Sequence, residues 1–89
     1  MARRVHHGDV VRVMSRGRFS VYVYAEVGQP HHLPHCHVMW PEGSAQVALP
    51  TLALLAGPRL PGAARVLLLD NLERLCDTWD TLNPEMPLS

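Results

Sequence analysis

The sequence lacks the features that mark secreted, membrane-spanning and disordered proteins. Its two cysteines, Cys36 and Cys76, are too few for the disulfide framework on which small secreted domains depend. No apolar run approaches the roughly 20 residues that a membrane-spanning helix needs, and the start of the chain carries no recognisable signal peptide. Because 47% of the 89 residues are hydrophobic, the chain can still form one small globular core. We therefore expect a cytoplasmic domain with no membrane association.

An excess of charge of one sign is also lacking. The sequence contains no lysine, and its eight arginines are balanced by eight acidic residues. A net charge of zero disfavours a uniformly basic nucleic-acid-binding domain. The arginines are nevertheless concentrated in the first 25 residues, and acidic residues dominate the last 30. Arg16 and Arg18, together with Trp40, are the candidate partner-binding residues, for a protein first and nucleic acid second. Two ordinary solvated surfaces are the alternative interpretation.

Two-residue alternation predicts an antiparallel sheet. The apolar residues Phe19, Val21 and Val23 alternate with serine and tyrosine, which is typical of a half-buried strand. The other predicted strands are residues 9–14, 35–40 and 45–49, separated by turn signals at residues 15–18 and 41–44. Residues 52–55 fit either a short strand or a helical turn. The sequence thus predicts three to four strands.

An apolar stripe in the last third of the chain predicts one amphipathic helix. Steps of four and three residues place the members of the stripe on one face: Leu68, Leu72, Leu75, Trp79 and Leu82, with Leu69 and Cys76 widening it. Pro61 suits the first helical position, and Asn83-Pro84 ends the helix.

These elements predict the α+β class in the order ββββα. A small antiparallel sheet of three to four strands has one apolar face, which one C-terminal amphipathic helix is expected to cover. Residues 1–8 are predicted to form a flexible N-terminal arm. Residues 9–83 form the single domain, and residues 84–89 form a C-terminal tail.

Four histidines lie within seven positions, at His31, His32, His35 and His37. Because residues two apart on a strand point the same way, we expect His35 and His37 to share one face, with Cys36 on the other. Two imidazoles on one face are able to bind a divalent metal ion, and the preceding loop offers His31 or His32 as a third ligand. Zinc, iron and nickel all accept imidazole, so the residue types do not select the metal. No cofactor is certain at this stage.

Other interpretations of the histidines remain open. They are also compatible with hydrogen bonds to loop carbonyl groups or with a partner interface. His35, His37 and Glu42 resemble the first metal motif of cupin barrels, but no later histidine supplies the second motif. Cys36 is expected to be a core residue rather than a nucleophile, because its neighbouring imidazoles lie on the opposite face.

The order of these motifs resembles the domain-of-unknown-function 4160 family (DUF4160), a family of small bacterial proteins. The family signature is a histidine, a spacer, and Pro-Pro-His-x-His-Val, preceded by a strand that carries tyrosine. Here the segment of residues 31–38 follows the tyrosine-bearing residues 21–24, and Trp79 stands in the final helix. The resemblance covers residues 9–82, and Leu33 replaces the first proline of the signature.

The resemblance implies a compact antiparallel sheet with one helix. It also implies that His31, His35 and His37 correspond to the three motif histidines, which makes them the candidate metal ligands. A partner similar to another small domain of unknown function, DUF2442, is suggested by the frequent association of the two families as a toxin–antitoxin-like pair. A homo-oligomer is the alternative assembly.

Three functional hypotheses follow. The first is a small interaction or regulatory protein, one component of a toxin–antitoxin-like pair, that acts through the histidine-rich loop and strand. The second is a metal-binding protein or metal-dependent hydrolase with His31, His35 and His37 as ligands and Glu42 as a base. The third is a phage or mobile-element factor that acts by protein binding. Whether the protein is an enzyme stays open.

Overall fold

A five-stranded antiparallel sheet forms the body of the protein. The computed structural model describes residues 10–26 and 33–88. The strands occur in the sheet in chain order: β1 (Val10–Arg16), β2 (Phe19–Tyr24), β3 (His35–Trp40), β4 (Gly43–Ala48) and β5 (Leu54–Ala56). Each strand therefore pairs with its neighbour in sequence, so β1 and β5 are the two edges.

The predicted hairpin of β1 and β2 is present, but β1 continues to Arg16, so the turn is shorter than the predicted residues 15–18. Its turn is Gly17-Arg18, and Gly17 adopts a φ of 59°, a conformation in which glycine avoids the steric penalty of a Cβ atom. The odd-numbered residues of β2 are buried and the even-numbered residues are half-buried, as the alternation predicts. A bulge between Arg12 and Met14 shifts the register of β1 against β2.

The sheet has one strand more than the sequence predicts. β5 is a three-residue edge strand whose side chains are all exposed, so no buried alternation marks it. Gly57, directly after β5, has a φ of 93°. A Cβ atom at Gly57 would lie 2.4 Å from the carbonyl oxygen of Ser44, and only glycine allows the chain to approach β4 this closely.

Two helices replace the single predicted helix. They are α1 (Gly62–Asp70) and α2 (Leu72–Leu82), separated at Asn71. The Asn71 side chain donates a hydrogen bond to the carbonyl oxygen of Leu67 at 2.9 Å, and its backbone has a φ of −122°. Asparagine commonly interrupts a helix in this way because its side chain competes for backbone groups.

The helices cover one face of the sheet. Leu68, Leu75 and Trp79 are fully buried and join the valines of the sheet in one core cluster. This part of the predicted stripe is confirmed. Leu69 was expected to widen the stripe, but it is 53% exposed and so lies outside the buried part of the stripe. Cys76 packs against the edge of the core.

The chain after α2 folds back onto the helix. The indole Nε1–H of Trp79 donates to the carbonyl oxygen of Met86 at 2.8 Å, and the Leu88 N–H donates to Asp80 Oδ1 at 2.6 Å. Residues 1–8, predicted as an arm, lie outside the described residues. Within residues 10–26 and 33–88, no helix is both long and apolar enough to cross a membrane.

Candidate metal centre

Strand β3 places His37 on the face of the sheet opposite the valine core, whereas His35, at the start of the strand, also contacts Trp79 of the helix layer. Cys36 and Val38 are fully buried in the core, as the alternation of side chains predicts. The rings of His35 and His37 lie 5.0 Å apart between centroids. Across the sheet, His37 is opposite Tyr22 on β2.

His37 is half-buried beside an aromatic neighbour. The ring of Tyr24 contacts it edge-on, with the centroids 4.5 Å apart. Burial, with a smaller contribution from His35, lowers the pKa of His37 to about 4. The imidazole is therefore neutral at pH 7 and keeps a ring nitrogen lone pair for a ligand.

His35 is buried at the start of β3, with only 4% of its surface exposed. Its ring packs 5.5 Å from the indole of Trp79 on α2. Nδ1–H donates to the carbonyl oxygen of Leu33 at 2.7 Å. This bond places the proton on Nδ1, so that in the neutral ring Nε2 is the acceptor.

Glu26 brings a carboxylate to the two histidines. It follows β2 by two residues, and its Oε2 lies 3.5 Å from His35 Nε2. The carboxylate side chain is 16% exposed and the His35 side chain 5%. Ligand atoms of Glu26, His35 and His37 all lie within 4.8 Å of one another, which makes these three residues a candidate metal centre.

The sequence prediction missed Glu26, although a signal for it was present. The even-numbered residues of β2 face the histidine side of the sheet, and this parity continues from Tyr22 and Tyr24 to Glu26. Of the predicted ligands, the structure brings His35 and His37 together. His31 and the alternative His32 lie outside the described residues.

Glu42 is the base in the metal-dependent hypothesis. It lies in the turn between β3 and β4, whereas His35 lies at the opposite end of β3. Its carboxylate forms an exposed ion pair with Arg18. The carboxylate beside the histidines is therefore Glu26 rather than Glu42.

The predicted partner-binding residues lie near the β1–β2 turn and at the end of β3. Arg16 is exposed at the end of β1, and Arg18 is exposed but paired with Glu42. Trp40 is half-buried against the core, with its ring 6.1 Å from that of Phe19. Both arginines are thus exposed, whereas Trp40 is partly covered by the core.

The cysteines have the structural role that the sequence predicts for Cys36. Burial, together with nearby Cys76, raises the pKa of Cys36 to about 12. Burial and then the carboxylates of Asp80 and Asp77 raise the pKa of Cys76. Both thiols are free and remain protonated at neutral pH, so neither is an activated nucleophile.

Comparison with known proteins identifies one family. The model of the domain of unknown function (DUF4160) matches residues 19–80, a segment that runs from β2 into α2 and contains all three residues of the candidate metal centre. No curated protein and no solved structure matches the chain.

Proposed function

The chain belongs to the DUF4160 family, and from the geometry of its site we propose that it is a small protein that binds a divalent transition metal ion. The ligands are Glu26, His35 and His37. The observation that carries this proposal is the convergence of two imidazoles and one carboxylate, on partly or fully buried side chains, within 4.8 Å. The predicted ligand His31 remains a candidate fourth ligand.

The separation of the ligand atoms has to shorten before one ion can bind all three. Zinc–nitrogen and zinc–oxygen bonds of about 2.0–2.2 Å at tetrahedral angles place two ligand atoms roughly 3.3–3.5 Å apart. The ligand atoms of the three side chains lie within 4.8 Å of one another, so metal binding requires side-chain rotations that draw them closer together.

The hydrogen bond of His35 supports metal binding at Nε2. Metal-binding histidines usually donate their other ring N–H to a carbonyl or carboxylate group, which fixes the tautomer and the ring orientation. His35 has this arrangement, with Nδ1 bonded to Leu33 and Nε2 directed to Glu26. In the neutral ring the lone pair of Nε2 faces a carboxylate oxygen at 3.5 Å, and a cation between them makes that contact favourable.

The ligand types favour zinc or iron. Two histidines and one carboxylate form the ligand set of several catalytic zinc sites and of non-haem iron(II) sites, both of which keep open positions. Nickel is the third candidate. At an open position, such an ion polarises a bound water for hydrolysis. A metal-dependent hydrolase is therefore the finer form of this proposal.

Elemental analysis of untagged protein purified without chelator tests the proposal. We expect about one metal ion per chain, and its loss in the His35→Ala/His37→Ala variant. Circular dichroism of the variant checks that it remains folded. If the wild type holds no metal after loading with zinc, iron and nickel salts, metal binding is excluded.

Partner binding is a second candidate function, because apolar side chains are exposed at both edges of the sheet. On β1, Val10 and Val11 are 45% and 40% exposed, and on β5, Leu54 and Leu55 are 48% and 41% exposed. Unpaired edge strands with apolar side chains favour pairing with another chain. This observation supports the hypothesis of an interaction protein or a homo-oligomer.

Sedimentation velocity tests whether the protein self-associates through the edge strand β5. We expect wild-type protein to self-associate and the Leu54→Glu/Leu55→Glu variant to be monomeric. Leu69→Glu, an exposed position on α1, is the matched control and should behave as wild type. A wild type that stays monomeric at high concentration excludes self-association through β5. A toxin–antitoxin-like role predicts separately that expression arrests growth and that His35→Ala/His37→Ala relieves the arrest.

A further inference from the structure

The backbone beyond β2 is held by a side chain from the other end of the protein. The residue pairing between β2 and β3 reaches Tyr22 opposite His37. Past this point, Asn83 bonds to the chain: its Oδ1 accepts the N–H of Glu26 at 2.6 Å, and its Nδ2 donates to the carbonyl oxygen of Tyr24 at 3.1 Å. The amide of Asn83 therefore satisfies one backbone donor and one backbone acceptor at the end of β2.

Asn83 is itself fixed in position. It is 1% exposed at the end of α2. Its Nδ2 also donates to the carbonyl oxygen of Trp79 at 3.2 Å, and its backbone N–H donates to the same oxygen at 2.8 Å. The Met86 N–H donates to the carbonyl oxygen of Asn83 at 3.0 Å. A buried amide with its donors and acceptor satisfied in this way is a rigid anchor.

Residues at the C-terminal end of α2 therefore contact two residues of the candidate metal centre, Glu26 and His35. Asn83 fixes the backbone of Glu26, and Trp79, one turn earlier, packs against the ring of His35 at 5.5 Å. We infer that Asn83 is a positioning residue that sets the carboxylate of Glu26 against His35 and His37. This inference rests on the proposed metal-binding function. The family match ends at residue 80, so Asn83 lies outside it.

Cobalt(II) titration of the full chain, followed by visible absorption spectroscopy, tests the inference. Loss of a residue that orients a metal ligand typically lowers affinity by about 10- to 100-fold. We expect Asn83→Ala to lower the Co²⁺ affinity by this factor and to shift the ligand-field spectrum toward that of Glu26→Ala. Asn71→Ala is the matched control, because Asn71 bonds a backbone carbonyl at the other end of α2. It should leave affinity and spectrum unchanged.

A double variant separates a positioning role from a general loss of stability. In the Glu26→Ala background the carboxylate is already absent, so Asn83→Ala should change the Co²⁺ affinity no further. Unchanged affinity and spectrum in Asn83→Ala, while Glu26→Ala loses affinity, would overturn the inference and leave the metal-binding proposal standing. Equal Co²⁺ binding by wild type and Glu26→Ala would overturn both.

Amide hydrogen exchange in the wild type covers the case in which Asn83→Ala does not fold. Zn²⁺ should slow exchange of the Glu26 N–H, because the ligated carboxylate and Asn83 then hold the same residue from two sides. The backbone N–H of Asn71, which bonds within the helices, is the internal reference. Unchanged exchange of the Glu26 N–H in the zinc-loaded protein contradicts the inference.

Discussion

Two glutamates lie near opposite ends of β3, each beside a side chain able to carry positive charge. Glu26 and His35 have side chains that are 16% and 5% exposed, whereas Glu42 and Arg18 have side chains that are 61% and 52% exposed. Exposed pairs contribute little because water screens them. Buried polar groups cost free energy unless they are bonded, so they persist where packing or function requires them. This difference in burial is the reason why we propose the functional site at the Glu26 end.

The largest expected difference between the two ends is in the free energy of unfolding that is lost when the tryptophan at each end is replaced by alanine. Trp79 is fully buried against His35, whereas Trp40 is half-buried beside Phe19. We expect Trp79→Ala to lower the free energy of unfolding by about 3–5 kcal/mol, because it leaves a cavity and removes the hydrogen bond to Met86. Trp40→Ala should cost roughly half as much. Urea denaturation measures both, and equal losses would contradict the difference between the ends.

Zinc should stabilise the folded protein by binding to the candidate metal centre at the Glu26 end of β3. At a free Zn²⁺ concentration 100-fold above the dissociation constant, the free energy of unfolding should rise by about 2.7 kcal/mol. For a domain of this size this corresponds to a rise in Tm of about 10 °C or more. Differential scanning calorimetry measures the shift, and chelation with EDTA should reverse it. Mg²⁺, which prefers oxygen ligands, is the control ion and should have no effect.

The metal-free protein should lose stability in mild acid. The pKa of His37 is lowered to about 4, chiefly by burial, whereas an imidazole in the unfolded chain has a pKa near 6.5. Between these values the unfolded chain binds a proton that the folded protein does not. The free energy of unfolding should therefore be highest above pH 6.5 and fall as the pH is lowered to about 4.

The His37→Gln variant isolates this contribution. In the presence of EDTA, denaturation curves at several pH values should show a smaller decrease for His37→Gln than for the wild type over the same range. The same dependence on pH in both proteins would show that another group is responsible.

Replacing either residue of the exposed pair Arg18–Glu42 should have the smallest effect on the free energy of unfolding. Arg18→Ala and Glu42→Ala should each change the free energy of unfolding by less than about 1 kcal/mol, as is usual for surface ion pairs. A double-mutant cycle read by urea denaturation gives the coupling between them, which 0.5 M salt should reduce. A coupling of several kcal/mol would show that this end is organised more tightly than its exposure indicates.

Periodicity predicted the parts of the fold in which one face is buried. Spacing alone predicted three such features: the alternation of β2, the proximity of His35 and His37 on β3, and the burial of Trp79. These elements share a strong contrast between core and surface, which is the physical basis of sequence patterns.

Features without that contrast were left open or escaped prediction. Residues 52–55 fitted either a short strand or a helical turn, and the three side chains of β5 are all exposed, so no alternation decided between them. The break at Asn71 depends on one side-chain hydrogen bond inside a continuous apolar stripe. Glu26 and Asn83 meet only through tertiary structure, because 57 positions separate them. Two of the three residues of the candidate metal centre, the histidines, were therefore visible in the sequence, and the carboxylate was not.

The most direct test of the proposed metal centre is isothermal titration calorimetry of Zn²⁺ into the wild type, Glu26→Gln and Glu42→Gln. The two variants remove equal charge from opposite ends of β3. We predict one Zn²⁺ per chain for the wild type, an affinity at least 10-fold lower for Glu26→Gln, and no change for Glu42→Gln. Equal affinities in all three proteins, or no binding by the wild type, would contradict a metal centre built from Glu26, His35 and His37.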